Sequence, residues 1–196
     1  MTVAAEKENS FHTKTRKDWR RWLEKNHNKK DSVWLIIYRK ASQTKSVYYS
    51  EAVEEALCFG WIDSKPNKRD KESFYLYFAK RKLNAAWSKI NRVRVERLTE
   101  QGLIKPAGQA MIDIAKQNGK WSALDKIDNE VIPTDLEKAF KANKLPLKNF
   151  NAFPPSSRKI ILLWIQTARK TETRVKRIKE AVQLAEKNIR ANHYRQ

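Results

Sequence analysis

Within the eight residues Ala56-Leu57-Cys58-Phe59-Gly60-Trp61-Ile62-Asp63 an acidic helix has to stop and an aromatic-led strand has to begin. No other stretch constrains the fold as much. The helix is announced by Ser50-Glu51-Ala52-Val53-Glu54-Glu55, in which Ser50 can cap and acids occupy the positive end of the helix dipole. Gly60 is one of only 4 glycines in 196 residues and sits where a residue of positive φ would close that helix. Asp63 follows the large ring of Trp61 and leads into the polar turn Ser64-Lys65-Pro66-Asn67.

Other elements fall into place around that corner. Trp19, Trp22 and Leu23 recur at helical spacing, predicting an amphipathic helix from about Thr15 to Asn28. Val33 to Tyr38 is a short, continuously apolar, β-rich run, expected to be a central strand buried on both faces. Trp61-Ile62 and Phe74 to Phe78 supply two more strands. Past Lys82 the pattern turns helical: Ser88 caps a helix with Ile90, Val93 and Leu98 inward and Lys89, Arg92, Arg94 and Arg97 outward, closed by Gly102. Pro106 opens the next, with Ala110, Met111, Ile114 and Ala115 on one face and Gly119 at its end. Pro133-Thr134-Asp135 starts a short helix carrying Leu136, Ala139 and Phe140. Lys144 to Pro155 reads as a connector that pins Phe150 and Phe153. A helix through Ile160 to Ile165 follows, and then a last one, capped by Thr171 or Thr173, with Val175, Ile178, Val182, Ala185 and Ile189 as its seam. The expectation is an α+β fold: a small antiparallel sheet of about three strands with packed helices, continued by a helical C-terminal module. Residues 1–14 are expected to be a disordered tail, 15–145 the α+β domain with its helical extension, and 146–196 the helical module.

Charge limits the partners. Lys and Arg number 42 against 22 Asp and Glu, a formal +20, and such a field recruits polyanions, nucleic acid or an acidic protein. The excess is distributed: residues 80 to 97 hold seven Lys/Arg and one acid, residues 156 to 196 eleven and three. A single cysteine excludes an internal disulfide, and no apolar run approaches the roughly 18 residues of a membrane span. Met1 to Lys17 is polar, with no secretory core, so a cytoplasmic location is expected.

Chemistry is sparse by spacing. Cys58 shares a helical face with Glu51, Glu54 and Glu55, which raise a thiol pKa, and it reads as packing. With three His at 12, 27 and 193 and no C-x-x-C, no metal ligand set is expected, and no glycine loop for phosphate appears. No catalytic residues and no cofactor are expected. The most suggestive group is Trp87-Ser88-Lys89 with Asn91: a ring, a cation and an amide at a helix start. With Trp61 and Asp63 these are the candidate ligand-binding residues. Arg94, Arg97, Arg158, Arg169, Arg174 and Arg177 are the candidate anion-binding residues.

Four segments, Ala56 to Asp63, Trp87-Ser88-Lys89-Ile90-Asn91, Lys105-Pro106-Ala107-Gly108, and Ser157-Arg158-Lys159 running on to Trp164-Ile165 and Thr171-Glu172-Thr173-Arg174, resemble the YdeI/OmpD-associated family, also called the bacteriocin-protection family. The likeness spans roughly residues 15 to 185. It implies a role in resistance to bacteriocins or cationic antimicrobial peptides and an association with an outer-membrane porin; because the +20 charge disfavours capture of a cationic peptide, the expected role is non-enzymatic and indirect. Two alternatives stand beside it: a basic nucleic-acid-binding module, and a small-molecule-binding protein or enzyme with a site near Trp61 and Asp63.

Overall fold

The computed structural model describes residues 7–141 and 143–193. They divide into two compact units, Met1–Ala123 and Leu124–Gln196. The first contains β1 (Ser10–His12), α1 (Arg16–Asn26), β2 (Ser32–Tyr38), α2 (Tyr49–Cys58), β3 (Trp61–Asp63), β4 (Asn67–Lys68), β5 (Ser73–Lys80), α3 (Lys89–Glu100) and α4 (Pro106–Gln117). The second is helical: α5 (Asp125–Asp128), α6 (Thr134–Lys141), α7 (Lys144–Ala152), α8 (Pro155–Gln166) and α9 (Thr171–Glu186).

The fold is α+β with a helical C-terminal region, and its sheet is larger than expected. The strand order is β1-β2-β5-β3, with β4 also pairing β5. β2 and β5 run antiparallel over seven residue pairs, from Ser32 opposite Ala79 to Tyr38 opposite Ser73. β1 adds in parallel, Phe11 beside Leu35, so the sheet is mixed. This corrects the disordered tail for residues 7–14; residues 1–6 lie outside the described residues. β1 is too short and too polar to show a strand period, and it gains its order by adding backbone hydrogen bonds to an apolar neighbour.

Alternation along β2 and β5 sends Val33, Leu35, Ile37, Leu76 and Phe78 into one core with Trp19 and Leu23 of α1. Each such fully buried side chain contributes on the order of 2–3 kcal/mol relative to exposure. β2 is therefore not equally buried on both faces. Trp34 stands half-buried on the other face, its ring 4.8 Å from that of Tyr77 and 6.1 Å from that of Tyr75.

The end of α2 is built by two glycines. Gly60 has φ +74°, as its position after the helix requires. Gly108, in the first turn of α4, lies so close to α2 that a Cβ on it would come 2.3 Å from the Cys58 carbonyl oxygen. That oxygen accepts from the Lys105 N–H at 2.9 Å. The negative end of α2 thus meets the positive end of α4 at a joint only glycine permits.

Three helical faces differ from the sequence expectation. On α3, Val95 and Leu98 are buried while Ile90 and Val93 are 66% and 56% exposed, so the inward stripe is rotated. On α4 the buried positions are Gly108, Ile112 and Ala115; Ala110 is exposed. On α9, Ile178, Ala181 and Ala185 form the seam, Val175 is exposed, and Asn188 at φ +59° ends the turn before Ile189 can join the helix. The expected connector before Pro155 is largely helix α7, which tolerates Pro146 because a first-turn N–H has no intrahelical acceptor. Its Phe150 is buried with Phe140, Ile161 and Ile165 in the second core. The unit boundary falls at 123/124 and not at 145/146, because α6 and α7 bury their aromatic residues with α8 and α9.

Candidate functional site

The corner after α2 places Asp63 back beside the start of that helix. There its Oδ2 accepts a 2.8 Å hydrogen bond from the hydroxyl of Tyr49. Burial, reinforced by this bond and by the Asp63 charge, pushes the Tyr49 phenol up to about 12, against an opposing pull from Arg94. Tyr49 is therefore a neutral donor at physiological pH. Arg94 in turn donates to Asn91 Oδ1 at 3.0 Å, and Asn91 N–H is received by Ser88, the cap of α3, at 3.4 Å. Tyr49, the residue that sequence reasoning missed, is thus hydrogen-bonded to Asp63 and feels the charge of Arg94, while Ser88, Asn91 and Arg94 bond to one another at the start of α3. Its signal was available: the chain reverses at Gly60, so a residue just past the turn returns toward the first turn of α2.

Neither tryptophan of the expected site faces a ligand. Trp61 is 1% exposed and donates its indole N–H to the His27 carbonyl at 3.3 Å. Trp87 is 2% exposed, with Trp121 on one side and the Arg81 guanidinium 3.9 Å above the ring. Arg81 donates to the Ala86 carbonyl at 2.5 Å; burial draws its pKa down to about 10, so it remains cationic near neutrality. The ring face expected to stack on a ligand is already covered by Arg81. Lys89 is exposed at the start of α3.

Most of the candidate anion-binding arginines have protein partners. Arg97 pairs with Glu54. Arg158 pairs with Glu130 at 2.5 Å and donates to the Asn151 and Phe153 carbonyls at 2.9 and 2.6 Å, closing the end of α7. Arg174 donates to both oxygens of Asp135, at 2.6 and 2.9 Å, and to the Ile165 carbonyl at 3.2 Å. Its hydrogen bond holds Asp135 below the usual carboxylate range. Arg177 donates to the Trp164 carbonyl at 2.5 Å. The last two close the C-terminal end of α8, where unpaired carbonyls attract cations. Arg169 is exposed.

A second charged centre was not foreseen as such. Glu55, 2% exposed, receives Arg16 Nε and an Arg20 terminal nitrogen, each at 2.6 Å. Arg16 also reaches Glu54 at 3.2 Å, and Arg20 donates to the Leu103 carbonyl at 3.0 Å. Two arginines of α1 are thereby fastened to α2. Cys58, fully buried beside them, has its thiol pushed up to about 11 by burial and by Glu55, with Arg20 offsetting part of the rise. No group of three or more His, Cys, Asp or Glu among the described residues is disposed to hold a metal.

These features define an α+β protein in which several arginines join helices or close their ends. Residues 11–111, just over half of the chain, match the family model described as a domain of unknown function (DUF8412), and the chain belongs to that family. Residues 130–188 match the model described as bacteriocin-protection, YdeI or OmpD-associated, the family expected from the sequence. That match is shorter than the expected 15 to 185, and the N-terminal unit is covered by the other model. No curated protein and no solved structure matches the chain. No helix among the described residues is long and apolar enough to cross a membrane.

Proposed function

We propose that the protein is a non-enzymatic member of the bacteriocin-protection type, contributing to survival of bacteriocins or cationic antimicrobial peptides and acting indirectly from the cytoplasm. The match of residues 130–188 supports the role. Neither the one thiol, buried and held near 11, nor the corner phenol, held near 12, is ionised at neutral pH. A nucleophile or base useful at neutral pH needs the opposite shift. The +20 charge repels cationic peptides, which favours an indirect route over capture. Deletion of the gene is expected to lower survival under bacteriocin and cationic-peptide challenge several-fold, and overexpression to raise it. Unchanged survival in both strains contradicts the proposal.

A second reading, polyanion binding, has its own observation. Arg169, Lys170, Lys176 and Lys179 are all exposed where α8 gives way to α9. Binding of duplex or single-stranded nucleic acid through several phosphates predicts a tenfold or larger loss of affinity between low and physiological salt. No binding at low salt removes this reading.

A further inference from the structure

One charged cavity lies outside everything described so far. The loop between β2 and α2 borders, with the start of α1, an open cavity of about 440 Å³ lined by Lys14, Arg16, Arg39, Lys40 and Lys45 and by one acid, Glu51. That volume is in the range of small-molecule sites. Arg16 is engaged by Glu54 and Glu55, and Arg39 Nε donates to the Lys71 carbonyl at 3.2 Å. Lys14, Lys40 and Lys45 have no ion pair among the described residues. Glu51 is itself engaged, accepting from the Tyr48 N–H at 3.2 Å.

Two helices begin at this cavity. Thr15, the N-cap of α1, and Tyr48, the N-cap of α2, both line it, but each start already has a first-turn carboxylate, Asp18 and Glu51, so the unpaired charge at the cavity is that of its three lysines. The loop is also fixed in place. The His12 ring meets the Lys45 carbonyl at 3.1 Å, Val47 N–H donates to the Thr13 carbonyl at 3.2 Å, and Ser46 Oγ accepts from Tyr38 N–H at 3.2 Å. Ser42 donates to Glu72 at 3.2 Å, tying the far side to the start of β5. Such anchoring lowers the ordering cost of binding. Tyr48, with Lys40 Nζ 5.6 Å from its ring centre, presents an exposed aromatic face at the rim.

We propose that this cavity binds a small ligand carrying two or more phosphoryl groups, a nucleoside triphosphate in particular, with the phosphates among Lys14, Lys40 and Lys45 and the base against Tyr48. The charge calls for a polyanion, the cavity's size for a small one, and the exposed ring for a planar group.

The test is calorimetric titration of the full chain with ATP and with pyrophosphate at physiological salt. One site per chain is expected, with pyrophosphate displacing ATP. The double variant Lys40→Glu/Lys45→Glu is expected to weaken ATP at least tenfold. Lys144→Glu/Lys148→Glu, the same charge change on α7, is expected to alter it less than twofold. Lys14→Gln, on a separate segment, is expected to weaken ATP severalfold and serves if the loop variant fails to fold. Absence of binding, failure of pyrophosphate to compete, or equal weakening by the two double variants overturns the proposal, the last because it would assign the effect to the overall field.

Discussion

The two units meet the same problem, too many cations and few glycines, in different ways. In the N-terminal unit a carboxylate goes inside: Glu55 is buried beneath Arg16 and Arg20, and α2 and α4 touch through bare backbone at Gly60 and Gly108. In the C-terminal unit the cations are laid on backbone: Arg158, Arg174 and Arg177 close the ends of α7 and α8 by donating to carbonyls. One region depends on close approach and a buried charge, the other on side chains reaching helix termini. The difference teaches that a basic residue count does not by itself indicate a binding surface, because a guanidinium serves equally as a helix cap.

The comparison breaks most readily at Gly108. Gly108→Ala forces a Cβ onto the Cys58 carbonyl, and a loss of about 3 kcal/mol is expected in denaturant unfolding. Stability unchanged by more than a few tenths would mean that the joint is slack. Glu55→Ala is expected to cost about 2–3 kcal/mol, less than for a wholly buried pair because Arg16 and Arg20 retain some contact with water. In the C-terminal unit Arg158→Ala is expected to cost about 1.5–2 kcal/mol, with faster amide exchange concentrated in α7.

Smaller effects sharpen the contrast. Asp135 has its pKa depressed by Arg174, so its contribution is present above the unfolded carboxylate value near 4 and is lost as pH falls through the lower folded value. Arg174→Ala should therefore flatten the acid limb of the C-terminal unit's stability, read by hydrogen exchange from pH 5 downward. Tyr49 shows the opposite sign. Its raised pKa contributes stability below about 10 that fades as pH rises toward 12, and Tyr49→Phe should remove one late-ionising phenol from an ultraviolet titration.

Much of the first region was legible because its signals are steric and local. Gly60, Ser88, Gly102, Pro106 and Gly119 each mark an element end where expected, since a positive φ or a missing N–H leaves few alternatives. Faces were harder to read. Ile90 and Val93 look inward by hydropathy, yet it is Val95 that is buried with Leu98, and Arg97 between them pairs with Glu54 of α2. β1 was invisible because it borrows order from β2. Among the candidate site residues, Trp61 and Trp87 are core, because a large ring is read equally well as packing or as a stacking surface. Single-residue chemistry cannot show that the cation over Trp87 is Arg81 from the preceding loop.

The most direct measurement is a paired one on the double variant Arg158→Lys/Arg174→Lys, which keeps the charge and removes the planar fork: thermal unfolding together with affinity for a polyanion such as heparin. A lowered unfolding midpoint in the C-terminal unit, with affinity unchanged within about twofold, is the result predicted for arginines that serve as helix closures. An unchanged midpoint with affinity reduced tenfold or more would contradict it and return these arginines to a binding surface.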